Sequence, residues 1–508
     1  MTVPPPESIL CQCMTAKIRR PDRCIMPDGN SCSACTEDIA LEQELENLEK
    51  LKEKIYIKRR ALRTAMNQTH DRLIRRFPPE IASRVFFHYS LTNPRFNTYA
   101  NTNILFLGAV CQRWRRLAWA TPELWTSIYI GRKIIHQWTV NATQLLTEWL
   151  ERSASLGLTI RFLDPSNSES VDGVYRVVTD LLNRHSARWY DIHLDLPTRH
   201  LHRLCGSSRE NILHRLAIFP TTSPNNIPPS DAGLPTFRMK CSPIELKLAS
   251  LSLKYVDIMW NNLTVVYLSS LVVDEVFEVL QRSPSLTTIT LVQLKPPSGT
   301  FYISDSDTRI SCPHVRSLEL LNIPNEVVLE KLFNSVCFPS LEQWTLQTYV
   351  FPLSTMISFI QSSAFCLKAF RVIGTRELAE RIHDLLRHLR SIEVMQFRFW
   401  FYDKPPGPTE VSFFKLLCSP DETAFLPHLR TLNFGHDLPV PLDSLPRIFS
   451  ASHRRDLRLE VDYHSTLVIE DRTAERFLEL VDEGFNLSIL RFGRVDVIEE
   501  YKVNRRSD

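Results

Sequence analysis

The chain has 508 residues, with 60 Lys and Arg against 57 Asp and Glu and a formal net charge of +3. That balance supplies no basic field for a nucleic-acid backbone or a membrane surface, and with no run of roughly eighteen apolar residues no membrane span is expected. Residues 1–20 lack the continuous apolar block of a signal peptide. The twelve cysteines are therefore expected as reduced thiols in cytosol or nucleus, and the length allows two to four domains.

Residues 1–36 read as a polar tail carrying Cys11, Cys13, Cys24, Cys32 and Cys35. Cys32-Ser33-Ala34-Cys35 has the two-residue gap with which two thiolates grip one zinc. A second such pair is missing, so no metal is expected; Cys11, Cys13, Cys32 and Cys35 are the residues that would hold one. A long helix follows over 37–75. Leu41, Leu45, Leu48, Ile55, Leu62, Met66, Thr69 and Leu73 fit a heptad seam, with Lys52 and Arg59 at two of its inner positions. Its acidic residues come early and its basic ones late, which suits the helix dipole and permits antiparallel or self-pairing. A homodimeric coiled coil and a lone helix are both open at this point.

Residues 76–130 read as a small helical module. Pro78-Pro79 suits a helix start. Ile81, Val85, Phe86 and Tyr89 then share a face. A second helix from about Ile104 carries Leu107, Val110, Cys111, Trp114 and Leu117-Ala118 at three- and four-residue steps, and Thr121-Pro122 stops it. Cys111 is expected as an inert core thiol. So small a module should lean on a neighbour or a partner.

Phe77-Pro78-Pro79-Glu80-Ile81, then Val110-Cys111-Gln112-Arg113-Trp114-Arg115-Arg116-Leu117-Ala118, then Thr121-Pro122-Glu123-Leu124-Trp125 resembles the F-box, in the form common in mushroom-type fungal proteins. The chain differs at Phe77, where leucine is usual, and in a long loop near 95–102. The resemblance implies a docking module for the small adaptor subunit of a cullin-based ubiquitin ligase. Phe77, Pro78, Ile81, Val85, Val110, Trp114 and Leu117 are the residues it implies for that contact or its support. Trp114 and Leu117 would serve equally well as core.

The rest, 131–495, reads as helix and strand in alternation. A helix over 136–152 precedes a strand over 158–162, and a helix over 174–183 precedes a strand over 189–194. Seven segments then read apolar-x-x-apolar-x-apolar, starting at Leu263, Leu286, Val315, Leu341, Leu367, Ile392 and Leu429, at spacings of 23, 29, 26, 26, 25 and 37 residues. Helical patterns lie between them at 274–281, 325–336, 353–362 and 377–388. Strand plus helix at this period suggests an α/β solenoid with one parallel sheet, resembling degenerate leucine-rich repeats. Residues 219–243 and 404–408 read as loops, 473–484 and 487–492 as a capping helix and strand, and 496–508 as a tail.

Along each strand the residue between the last two apolar positions should point to the concave, open face. These are Tyr267, Thr290, Glu319, Thr345, Arg371, Gln396 and Asn433, a mixed polar set suited to a protein partner. If Arg316 and Arg398 join Arg371, an acidic or phosphorylated target is favoured. Phosphate-binding glycine motifs and metallohydrolase motifs are absent, and His200-Leu201-His202-Arg203-Leu204-Cys205 has too few ligands too close together for a metal. The expected protein is no enzyme and needs no cofactor. It recruits a protein target to a ubiquitin ligase through the F-box; the alternative is an interaction scaffold outside the ligase, dimerised through the N-terminal helix.

Overall fold

The structure is a computed structural model. It describes residues 32–69, 77–91, 100–164, 168–205, 212–220, 237–238, 241–297, 309–374, 376–399, 412–418, 425–436, 442–450, 454–463, 471–491 and 495–505. These fall into two units, one within Met1–Tyr89 and Ile104–Ala120, the other within Ser90–Asn103 and Thr121–Asp508.

The first unit is helical. Helix α1 spans Ser33–Thr69, so it starts four residues earlier than the sequence suggests, with Thr36 N–H bonding the Cys32 carbonyl at 3.0 Å. Its expected last turns, 70–75, lie outside the described residues. Helix α2 covers Pro79–Leu91. The Pro78 carbonyl accepts from the N–H groups of Ile81 and Ala82, both at 3.1 Å, so the two prolines occupy the helix start as expected. The second predicted helix is in fact two, α3 (Ala100–Val110) and α4 (Gln112–Trp119). Cys111 breaks the run with extended backbone, and its Sγ accepts the Trp114 N–H at 3.4 Å. Cys111 is thus a half-buried cap, not a core thiol on a helix face. The apolar spacing continues across it, which hides the break in the sequence. Ala82, Phe86, Ile104, Leu107 and Ala118 are buried.

The second unit is organised by two apolar positions per strand. Strands β1 (Ser127–Gly131), β2 (Leu158–Leu163), β3 (Trp189–Asp195), β4 (Arg215–Ile218), β5 (Glu245–Ala249), β6 (Val265–Ser269), β7 (Thr288–Val292), β8 (Ser317–Ile323), β9 (Gln343–Thr348), β10 (Ala369–Gly374), β11 (Val394–Phe399), β12 (Thr431–His436), β13 (Arg458–Tyr463), β14 (Asn486–Arg491) and β15 (Val495–Asp496) form one sheet in sequence order. All neighbours pair in parallel except the last, where β15 turns back antiparallel on β14. The starts from Val265 to Thr431 reproduce the expected spacings of 23, 29, 26, 26, 25 and 37 residues.

Register aligns the apolar positions into two buried rows. One runs from Ile128 and Ile160 through Leu318, Trp344 and Phe370 to Leu487. The other runs from Ile130 and Phe162 through Leu320, Leu346 and Val372 to Ile489. Helices cover this face: α5 (Val140–Arg152), α6 (Asp172–Arg184), α7 (Val273–Arg282), α8 (Glu326–Ser335), α9 (Leu353–Ser363) and α10 (Arg376–Leu386). Trp344 of β9 meets Phe333 of α8 and Phe359 of α9 with ring centroids 5.7 and 5.9 Å apart. Two ladder residues contribute about 1.5–3 kcal/mol each, while ordering each backbone residue costs roughly 1–2 kcal/mol. A unit of 26 residues therefore stands only against its neighbours.

Four successive strand ends share a left-handed residue, Ser250, Ser270, Gln293 and Asn322, with φ between 49° and 59°. Three donate their N–H to the next strand: Ser250 to Ser269, Ser270 to Val292 and Gln293 to Leu321, at 2.8 to 3.0 Å. The conformation repeats without one residue type common to all four.

Several boundaries differ from the sequence reading. The sheet begins at Ser127, inside the segment assigned to the helical module. The helix expected over 136–152 is a short helix, Arg132–His136, and then α5, whose start Thr139 caps through Oγ1. β4, β5 and β13 were not anticipated. Phe237–Arg238, inside the expected 219–243 loop, pairs with Val256–Asp257; the expected loop at 404–408 lies outside the described residues. The end of the chain is not a plain tail, because Val497–Arg505 is helical.

Candidate interaction surfaces

In the first unit the seven singled-out residues separate into two groups. Phe77, Ile81 and Val85 are 45, 48 and 42% exposed, and Val110 on α3 is 48% exposed. Pro78 is exposed beside them. Ile81, Val85 and Tyr89 (46%) step by four residues along one stripe of α2, and Phe77 lies four residues before Ile81, just ahead of the helix. Ala82 and Phe86, each one residue on, are the buried stripe. Trp114 and Leu117 are half-buried. The Trp114 ring lies 4.8 Å from that of Phe86, so it supports the unit from within. Leu105 and Phe106 are also exposed on α3; the sequence reading followed Ile104 and Leu107 and passed over them. Arg115 ties α4 to α3, donating from Nε to the Gly108 carbonyl at 2.7 Å.

In the second unit the seven predicted face residues lie in a single register row. Tyr267 pairs with Thr290, Thr290 with Glu319, Glu319 with Thr345, Thr345 with Arg371, Arg371 with Gln396 and Gln396 with Asn433. All are half-exposed. The row continues to Glu460 on one side and, through Lys247, the buried Ala217 and His193, to the exposed Arg161 on the other. Neighbours bond sideways: Thr290 Oγ1 donates to Glu319 Oε2 at 3.1 Å, Gln396 Nε2 to Asn433 Oδ1 at 3.4 Å and Asn433 Nδ2 to Glu460 Oε2 at 2.8 Å.

The Nε of the Arg371 side chain is buried without a hydrogen-bond partner. Burial, and then the nearby charge of Arg398, hold its guanidinium below the ordinary arginine range. Arg398 is paired in register with Ile373, two positions along from Arg371's own pair, and its side chain lies over Gly435. Arg316 does not join them. It precedes β8, level with Glu342 and Lys368, whose N–H groups bond the carbonyls of Arg316 and Glu342. That outer row alternates in sign through Glu393 and Arg430, with Lys368 Nζ 3.4 Å from Glu342. The condition for a three-arginine cluster is therefore not met; Arg371 and Arg398 stand as a pair.

His200 is buried, stacked on Tyr175 with centroids 4.0 Å apart, and its Nε2 faces Asp172 Oδ1 at 3.2 Å. Burial brings its pKa down to about 4. Tyr175 donates to the buried Asp164 carboxylate at 2.8 Å, and its hydroxyl is pushed up by burial and by that carboxylate. Among the described residues no group of three or more His, Cys, Asp or Glu is placed to hold a metal ion. Cys32 immediately precedes α1 and Cys35 stands in its first turn, while Cys11, Cys13 and Cys24 lie outside the described residues. No helix among them is long and apolar enough to cross a membrane.

No protein-family model matches the chain, and no curated protein matches it.

Proposed function

We propose that this chain recruits a protein target to a cullin-based ubiquitin ligase, docking through residues 77–119 and holding the target on the open sheet face. The observation that carries the reading is the exposed apolar stripe Phe77, Ile81 and Val85, with Val110 close in exposure. Four large apolar side chains left in water on a small helical unit mark a binding surface more than a finished core. The F-box resemblance of these same residues supplies the partner, the small adaptor subunit.

The sheet row from Tyr267 to Asn433 supports the second half of the reading. It is polar, half-exposed and of mixed sign, as a protein-binding surface is. In this account the chain catalyses nothing itself. It raises the local concentration of a target lysine beside a charged ubiquitin carrier, and the bond-making occurs on other subunits.

Co-purification of the full chain with the adaptor tests the proposal. The parent should retain it, and Ile81→Asp with Val85→Asp should lose it while keeping the parent's circular dichroism. A parent that fails to bind, or a folded double variant that still binds, overturns it.

A further inference from the structure

Helix α1 holds a large apolar surface in water. Leu41, Leu45, Leu48, Leu51, Ile55, Tyr56, Ile57, Leu62 and Met66 are each 46 to 62% exposed. An isolated helix gains little from propensity alone, and most helical stability comes from packing an apolar face. The seam positions 41, 45, 48, 52, 55, 59, 62 and 66 alternate steps of four and three, the 3.5-residue repeat of a two-helix coiled coil. Over 41–66 this makes about 38 Å of seam at 1.5 Å per residue.

Charge decides what covers it. With the seam as the a and d positions, Glu37, Glu44, Leu51, Lys58 and Ala65 take the g positions on one flank, and Glu42, Glu49, Tyr56 and Arg63 take the e positions on the other. A parallel second copy in register would set Glu37 against Glu42, Glu44 against Glu49 and Lys58 against Arg63, all like-charged. It would also set Lys52 and Arg59 against their own copies inside the seam. An antiparallel copy reverses this. Its layers become Leu41 with Met66, Leu45 with Leu62, Leu48 with Arg59 and Lys52 with Ile55, each occurring twice by symmetry. Glu42 of one helix then flanks Arg63 of the other, also twice. The aliphatic stems of Lys52 and Arg59 cover the seam while their charged heads reach water.

We infer that two copies of this chain associate through α1 as an antiparallel coiled coil. The dimer does not require the ligase reading, and its test uses no adaptor.

Light scattering on the full chain should give twice the chain mass at micromolar concentration. Leu45→Glu with Leu62→Glu should return it to the chain mass. Charge exchange then reads the orientation. Glu42→Lys alone and Arg63→Glu alone should each weaken dimerisation about tenfold, since two attractive flank pairs become repulsive. The two together should restore it to within about twofold. A chain that stays monomeric, a stoichiometry other than two, or a seam variant whose mass is unchanged overturns the inference. So does tighter association by Glu42→Lys, which is what the parallel arrangement requires because it relieves the repulsion with Glu37.

Discussion

The ring of Trp114 lies 4.8 Å from that of Phe86, tilted by 44°, and joins α4 to the buried stripe of α2. Trp114 belongs to the F-box-like motif, yet its position is that of a support. Trp114→Ala should therefore destabilise the first unit by about 3 kcal/mol through the cavity it leaves. Trp114→Phe should cost less than half of that. Denaturation of both variants, followed by circular dichroism, checks the pair, and no loss in Trp114→Ala would mean the ring packs nothing.

Trp344 does the same for the sheet unit. It touches Phe333, Phe359 and Phe370, the last with centroids 5.0 Å apart. Trp344→Ala should cost about 3–5 kcal/mol. In a stacked array the damage should stay local. Hydrogen exchange is expected to rise in β8 to β10 and to hardly change in β1 and β2.

His200 sets a pH dependence. Its folded pKa of about 4 lies below the ordinary 6.5. As the pH falls from 6.5 towards 4, the unfolded chain takes up a proton that the folded chain refuses, and stability drops. At about 1.4 kcal/mol per pKa unit, roughly 3 kcal/mol is lost across that window. His185, His193 and His202 are also depressed, mainly by burial, and add in the same direction. The denaturation midpoint should therefore fall between pH 7 and 5, and less steeply in His200→Phe. An identical slope in that variant would contradict the assignment.

Thiol reactivity should divide by burial. Cys241 and Cys312 are enclosed, with burial pushing their pKa values up to about 12 and about 11. Cys205 and Cys366 are exposed. Brief alkylation of the native chain at pH 8, read by mass spectrometry, should modify Cys205 and Cys366 and spare Cys241 and Cys312 until denaturant is added.

The strand array was legible because burying one sheet face imposes a repeated apolar pattern. In Leu341-Glu342-Gln343-Trp344-Thr345-Leu346 the first leucine packs in the turn before β9, and Trp344 and Leu346 enter the two buried rows. That fixed parity also placed Thr345 and its six row partners on one face. β13 escaped because Leu457, Leu459 and Val461 alternate without the longer first gap. β1 escaped because Ser127–Gly131 directly follows a helix stop and reads as its close. The left-handed turns at Ser250, Ser270, Gln293 and Asn322 carry no common residue, so backbone repetition there leaves no trace in the sequence. The exposed stripe of α2 was legible as an apolar face, but which of its members face water was not. Ile81 and Ala82 are adjacent and both apolar, and only packing separates them.

The most direct test of the central claim is a binding titration of the purified adaptor subunit with the full chain. The account predicts saturable binding with one adaptor per chain. Val85→Asp should weaken it at least tenfold, and the packing-preserving Trp114→Phe by no more than about threefold. No measurable binding by the parent chain, or equal affinity in Val85→Asp, would contradict the assignment of this surface.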